Sequence, residues 1–98
     1  MGRSLENVIY LELLRRGYEV RIGKTGSAEV DFIAVNECGI EYYQVALTVR
    51  DENTLARELK PLDDISDHNP KFLLTMDEDP DASHNGIRQV YALDWLLT

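Results

Sequence analysis

Cysteine is nearly absent from this 98-residue chain. Cys38 stands alone, so no internal disulfide can form and no multi-cysteine zinc site can be built. No apolar run approaches the roughly 18 residues that a membrane-spanning helix needs. A secretory leader would show an early basic stretch followed by an apolar run, but Glu6 and Glu12 interrupt the apolar pattern of residues 1–14. That pattern predicts a domain element at the N-terminus and a cytoplasmic protein with no membrane attachment. Histidine is scarce as well. His68 and His84 stand singly in polar stretches, without the helical pairing or carboxylate neighbour that zinc binding or acid-base work requires. A chain of this length has room for one domain with one modest core, and its stability must come from packing.

Positive charge is the next shortage. Ten basic residues face eighteen acidic ones, for a net charge of −8. The imbalance is uneven along the chain. Residues 1–28 hold five basic and three acidic residues, a net of +2, and residues 29–98 hold five basic and fifteen acidic ones, a net of −10. Nucleic-acid binders usually present a basic face, because neutralising phosphate supplies most of their non-specific affinity. Nucleic acid is therefore disfavoured as a partner, and only the first quarter of the chain could meet phosphate.

What is present is a readable alternation of helix and strand patterns. Leu5, Val8, Ile9, Leu13 and Leu14 form an apolar stripe at 3.6-residue spacing, with Ser4 as a candidate cap, Glu6 near the positive end of the helix dipole and Gly17 as the stop. A helix over about 4–16 follows. Tyr18, Val20 and Ile22 alternate with charged residues, which predicts a short half-buried strand ending at a Gly23–Ser27 turn. Residues 29–49 read as two strands joined near Asn36-Glu37-Cys38-Gly39. Asp51, Asn53 and Thr54 are candidate caps for a second helix carrying Leu55, Ala56, Leu59, Leu62 and Ile65. Pro61 predicts a kink in it or a break into two pieces. The run Lys71–Met76 suits a strand buried on both faces, residues 77–86 read as an exposed acidic loop, and a strand at about 87–92 precedes a helical turn begun by Asp94.

Two short motifs fail. "GKT" at 23–25 matches the end of a phosphate-binding loop, but Tyr18 stands where the first glycine belongs and a strand follows in place of a helix. Asp77, Asp79 and Asp81 have the spacing of a calcium loop, yet Ala82 occupies the glycine position and Arg88 that of the bidentate glutamate. A solvated acidic loop is the simpler reading.

The hairpin carries the candidate chemistry. Any two-residue turn within residues 36–39 pairs residues whose numbers sum to an odd value, which puts Asp31 on the face of Gln44 and Ala46. With Glu37 and Cys38 as the turn, Asp31 lies opposite Gln44; a three-residue loop or a bulge at Gly39 would shift that parity.

The order helix, three-strand meander, helix, strand resembles the common core of the PD-(D/E)xK nuclease superfamily. There the first helix supplies a glutamate, the second strand an aspartate and the third strand a (D/E)-x-K pair. By that resemblance Glu6 in "LEN" takes the glutamate position, Asp31 in "EVDF" the aspartate and Gln44 in "QVA" the third acid. Ala46 falls where the lysine belongs. The segments "LENVIYLELLRRGYEV", "EVDFIA", "YYQVALTV", "RELKPL", "PKFLLTMD" and "GIRQVYALDWLL" together look like the C-terminal domain of unknown function carried by predicted prokaryotic AAA-type ATPases, over residues 3–98. The resemblance implies an α/β (α+β) fold, a restriction-endonuclease-like αβββαβ core with a central mixed sheet flanked by helices. It also implies one domain, 1–98, belonging to a larger protein with an upstream ATPase domain as its partner.

An active member would hold Mg2+ between two acids to polarise the scissile phosphate, with the lysine assisting the nucleophile. Here only a weak site built from Asp31, Gln44 and Glu6 would survive, and Lys24 would have to reach across from the preceding turn to replace the missing cation. The expectation is a degenerate, non-catalytic module serving interaction or regulation. The alternatives are a Mg2+-dependent nuclease and a non-cleaving DNA-binding domain using Glu6, Asp31 and Gln44. Plainer roles stand beside these: Glu6 favouring the helix dipole, Asp31 binding turn amides, Gln44 as a polar edge residue. An uncovered strand edge would also suit pairing with a second copy.

Overall fold

The computed structural model describes residues 2–25, 28–78 and 82–98, leaving aside the side chains of residues 2, 3, 24, 25 and 28. In chain order the elements are α1 (Gly2–Arg15), β1 (Glu19–Thr25), β2 (Ala28–Asn36), β3 (Gly39–Val45), α2 (Glu52–Asp63), β4 (Lys71–Thr75), β5 (Ala82–His84), β6 (Ile87–Tyr91) and α3 (Ala92–Leu96). The strands form one six-stranded sheet in the order β1-β2-β3-β4-β6-β5. β1, β2 and β3 run antiparallel as a meander, β4 and β6 continue parallel to β3, and β5 closes the far edge antiparallel to β6. The fold is thus the expected mixed sheet flanked by helices.

Helix α1 differs from its expected form in two ways. It starts at Gly2, so Ser4 lies inside it, no acidic residue occupies its first turn, and the dipole role suggested for Glu6 falls away. Its end is as expected. Gly17 adopts φ +91°, its N–H bonds to the carbonyl of Leu14 at 3.0 Å, and that of Tyr18 bonds to Leu13 at 3.1 Å. This paired closure needs a residue at positive φ, which glycine supplies without steric cost. The second difference is the stripe. Ile9 and Leu13 are fully buried with Leu5 and Tyr10 packed beside them, whereas Val8, Leu11 and Leu14 point outward. The helix is apolar on both sides and only one side is used.

Strand β1 runs through "GKT" to Thr25, three residues into the expected Gly23–Ser27 turn, with a register irregularity between Arg21 and Gly23. The irregularity breaks the alternation, and Ile22, expected to be half-buried, is exposed. In contrast, β3 ends at Val45, short of the expected 49. Asp51 caps α2, its carboxylate accepting the Thr54 N–H at 3.2 Å and the Thr54 hydroxyl at 3.1 Å. Pro61 does not divide that helix, which runs unbroken from Glu52 to Asp63. It sits in the last turn, where its missing N–H costs a single helical bond, to the carbonyl of exposed Arg57, and the Asp64 N–H still closes on Lys60 at 3.0 Å. The stretch expected to be a loop up to residue 86 contains β5, returned by Asn85-Gly86 at φ +54° and +85°. Asn-Gly is the pair that a tight hairpin turn favours, because both positions need positive φ.

Two cores lie on opposite faces of the sheet. Ile9, Leu13, Phe32, Tyr43, Val45, Leu74 and Trp95 pack under α1 and α3, and Val30, Tyr42, Val49, Leu62, Leu73 and Ile87 pack with α2. Strand β4 feeds both, as its apolar run predicted. Leu13 and Leu14 then form a direct test of the helix orientation, since Leu13 is 0% exposed and Leu14 42%. Leu13→Ala should cost about 2–5 kcal/mol in urea unfolding and Leu14→Ala no more than about 1 kcal/mol. Equal costs would mean that both faces of α1 are packed.

Candidate functional site

The hairpin turn is Glu37-Cys38, with Asn36 paired to Gly39. Asn36 Oδ1 accepts the Cys38 N–H at 2.9 Å, and Gly39 takes φ +138°, which a side chain would disfavour. The β2–β3 ladder is regular from there to the Phe32–Tyr43 pair. Asp31 and Gln44 come next, where the main-chain ladder stops and their side chains take over. Gln44 Oε1 accepts the Asp31 N–H at 2.9 Å, and Asp31 Oδ2 accepts the Val45 N–H at 2.8 Å. Each strand thus lends a side chain to satisfy an amide that the parting strands would otherwise orphan. Gln44 is buried and Asp31 half-buried.

Burial dominates the electrostatics of Asp31. It pushes the carboxyl from its ordinary 3.8 up to about 6, the Val45 amide pulls the other way, and the negative charges of Glu6 and Glu58 push it further up. Glu58, on α2, was not among the residues singled out in the sequence. Its distance of 27 positions from Asp31 hides the proximity, which arises only when α2 folds back over the sheet. The charge of Glu6 is felt at Asp31. Even so, among the described residues no hydrogen bond joins the two.

Gln44 and Tyr42 alternate with Tyr43 and Val45 along β3, so Gln44 shares the α2 side while Glu6 belongs to the helix on the other side. Ala46 gives the lysine position no polar group. It is half-buried against the α2-side core, with its N–H bonded to Leu74 at 3.0 Å. Lys24 pairs through its backbone with Glu29 at the far end of the β1–β2 ladder, and its side chain lies outside the described atoms. Among the described residues no group of three or more His, Cys, Asp or Glu side chains comes close enough to hold a metal. With Gln44 Oε1 and Asp31 Oδ2 each accepting an amide, Asp31 Oδ1 is the anionic oxygen of the pair left without a hydrogen bond among the described residues, a poorer donor set than the two acids a nuclease uses for a hard dication.

A second aspartate corrects the reading of the acidic loop. Asp77 is 3% exposed, not solvated. Its carboxylate accepts the Thr48 hydroxyl at 2.7 Å, the Val49 N–H at 2.9 Å and the Arg50 guanidinium at 2.8 Å. It pins the β3–α2 connection to the end of β4. These donors outweigh burial and hold its carboxyl below the usual aspartate value. Asp79 and Asp81 lie outside the described residues. His68 is exposed, and His84 is half-buried on β5 with Nε2 2.9 Å from Gln89 Oε1.

No family model matches the chain, and no solved structure matches it. A protein of Haemophilus influenzae, described only as an uncharacterized protein, is 44% identical over 96 residues. The match covers 98% of this chain and 23% of that protein, so the chain spans about a quarter of the relative's length. No described helix is long and apolar enough to cross a membrane.

The two aspartates respond oppositely to pH. Asp77, held low, supports the fold until pH falls through its depressed value. Asp31, held high, favours the fold while protonated and loses that contribution as pH rises from about 4 through about 6. Asp31→Asn keeps an oxygen for the Val45 amide and removes the titration. The melting temperature of this variant, relative to the parent, should be higher at about pH 8 than at about pH 4. A difference independent of pH would show that Asp31 ionises as an ordinary surface carboxylate.

Proposed function

We propose that this chain is a nuclease-like module that no longer cleaves and that serves as an interaction or regulatory part of a longer cytoplasmic protein, an ATPase of the predicted prokaryotic AAA type. The observation that carries this reading is the reciprocal bonding of Asp31 and Gln44. The two groups that would face a metal and a phosphate are instead spent on each other's strands. Ala46 in the lysine position supports it further. Placement within a longer protein is supported by the Haemophilus relative, three quarters of which lies outside the matched segment.

An aspartate whose oxygen is already bound to an amide is a poorer ligand for a hard cation. A site without a positioned general acid or base also forgoes a factor on the order of 10² to 10⁴ in rate. The net charge of −8 opposes the approach of a polyanion besides. Purified chain should therefore leave duplex and single-stranded DNA uncut with Mg2+ or Mn2+, in parallel with an Asp31→Ala control. Cleavage by the parent that disappears in the control would establish Asp31 as catalytic and overturn the reading. Cleavage by both would trace to contamination, and the reading would stand.

A further inference from the structure

On the face of the sheet that carries α1 and α3, the strand register aligns Tyr43, Phe72 and Arg88 across β3, β4 and β6, a row running from buried Tyr43 through half-buried Phe72 to exposed Arg88. Above it opens a cleft of about 370 Å3, walled by Tyr18 and Glu41 on one side and by Trp95 and Asp94 on the other. Its floor is aromatic. Tyr43 stacks on Phe72 with centroids 5.0 Å apart and meets Trp95 edge-on at 5.5 Å.

The polar group built into this cleft is the Glu41 carboxylate. One of its oxygens, Oε1, accepts two phenol hydroxyls, from Tyr43 at 2.5 Å and Tyr18 at 3.2 Å. Tyr43 is 2% exposed, and burial followed by the nearby Glu41 charge raises its pKa far above the ordinary tyrosine value, so both the donor and the geometry are fixed. Among the described residues Oε2 has no partner. A carboxylate held by two donors on one oxygen and bare on the other, set among aromatic rings, is arranged to meet a cation.

The cations already present do not fill that role. The Arg16 guanidinium lies 4.2 Å from the centroid of Trp95, but it is paired with Glu12 at 2.7 Å and donates to the Trp95 carbonyl at 2.9 Å. Arg88 is exposed at the rim, where β6 pairs with β5. Counting Glu12 with the charged residues that line the cleft, two positive charges face three negative ones.

The geometry points to this cleft as the receptor for a cationic side chain, an arginine or lysine on a segment of a partner protein, with Glu41 as its counter-ion and half-buried Phe72, backed by Tyr43 and Trp95, as the surface its methylenes cover. The strongly acidic remainder of the domain, net −10 over residues 29–98, favours a basic segment of that kind. This deepens the reading of the chain as an interaction module and depends on that reading only for the source of the cation.

Trp95 is the chain's single tryptophan, so its fluorescence reports on the cleft alone. The probes are the acetylated methylamides of arginine, of citrulline, which is its neutral isostere, and of glutamate. The arginine probe should change the Trp95 emission saturably, with citrulline at least about tenfold weaker and glutamate without effect. Glu41→Gln keeps an acceptor for both phenols, and should weaken the arginine probe about tenfold while leaving citrulline unchanged. Citrulline binding as well as arginine, glutamate binding more tightly, or no saturable change with arginine would each overturn the assignment. The probe series in the parent chain decides the matter even if the variant does not fold. The readout is also separate from DNA cleavage, since a cleft that binds arginine in a chain that also cuts DNA would remove the inert reading and leave the cleft.

Discussion

Strand β4 is the constraint on which the rest depends. Leu73 and Leu74 are both fully buried, and successive residues of a strand face opposite ways, so one strand must be covered on both sides. Fully burying such a side chain contributes about 1.5–3 kcal/mol. That requirement draws α1 and α3 to one face and α2 to the other, and it makes β3, β4 and β6 the parallel heart of the sheet, since parallel strands need cover on both faces. The meander, by contrast, carries its variation at the margin, where β1 breaks register and Ile22 stays in solvent.

Satisfying amides at strand ends explains most of the buried polar side chains. Where β2 and β3 part, Asp31 and Gln44 replace ladder bonds; where β3 runs on toward α2, Asp77 collects the loop. Both aspartates do structural work on backbone N–H groups, yet their electrostatics diverge because of company. Asp77 has a guanidinium beside it, and Asp31 has two glutamates within reach of its field. An acid is thus kept at a strand end by the amide that needs it.

Much of this was legible in the sequence where local rules left few outcomes. Gly17 ends α1 as expected, Asp51 is the cap among three candidates, and the two-residue turn, one of the loop lengths the sequence allowed, brings Asp31 beside Gln44. What escaped notice depended on tertiary context. The outward leucines of α1 obey the same helical spacing as the inward ones, and only the sheet selects between them. Pro61 is harmless because of where the helix stops, which its own residue type does not say. β5 lay hidden in an acidic stretch although Asn85-Gly86 announced a hairpin. The burial of Asp77 and the nearness of Glu58 to Asp31 join segments 27 or more residues apart, and no pattern within either segment encodes them. The pairing of Asp31 with Gln44 was readable; the purpose of that pair was not.

Arg16 ties the end of the first helix to the end of the chain, through the Trp95 carbonyl at 2.9 Å and the Thr98 carbonyl at 3.3 Å. Contacts of such long sequence separation form late, because the loop between them must close first. The closing turn of α1 is made locally, by the Gly17 and Tyr18 amides, but the Arg16 side chain beside it gains its carbonyl partners only once the α3 segment is in place. α1 and the segment around α3 are thereby fastened to each other across some eighty positions, so that opening the one exposes the anchor of the other.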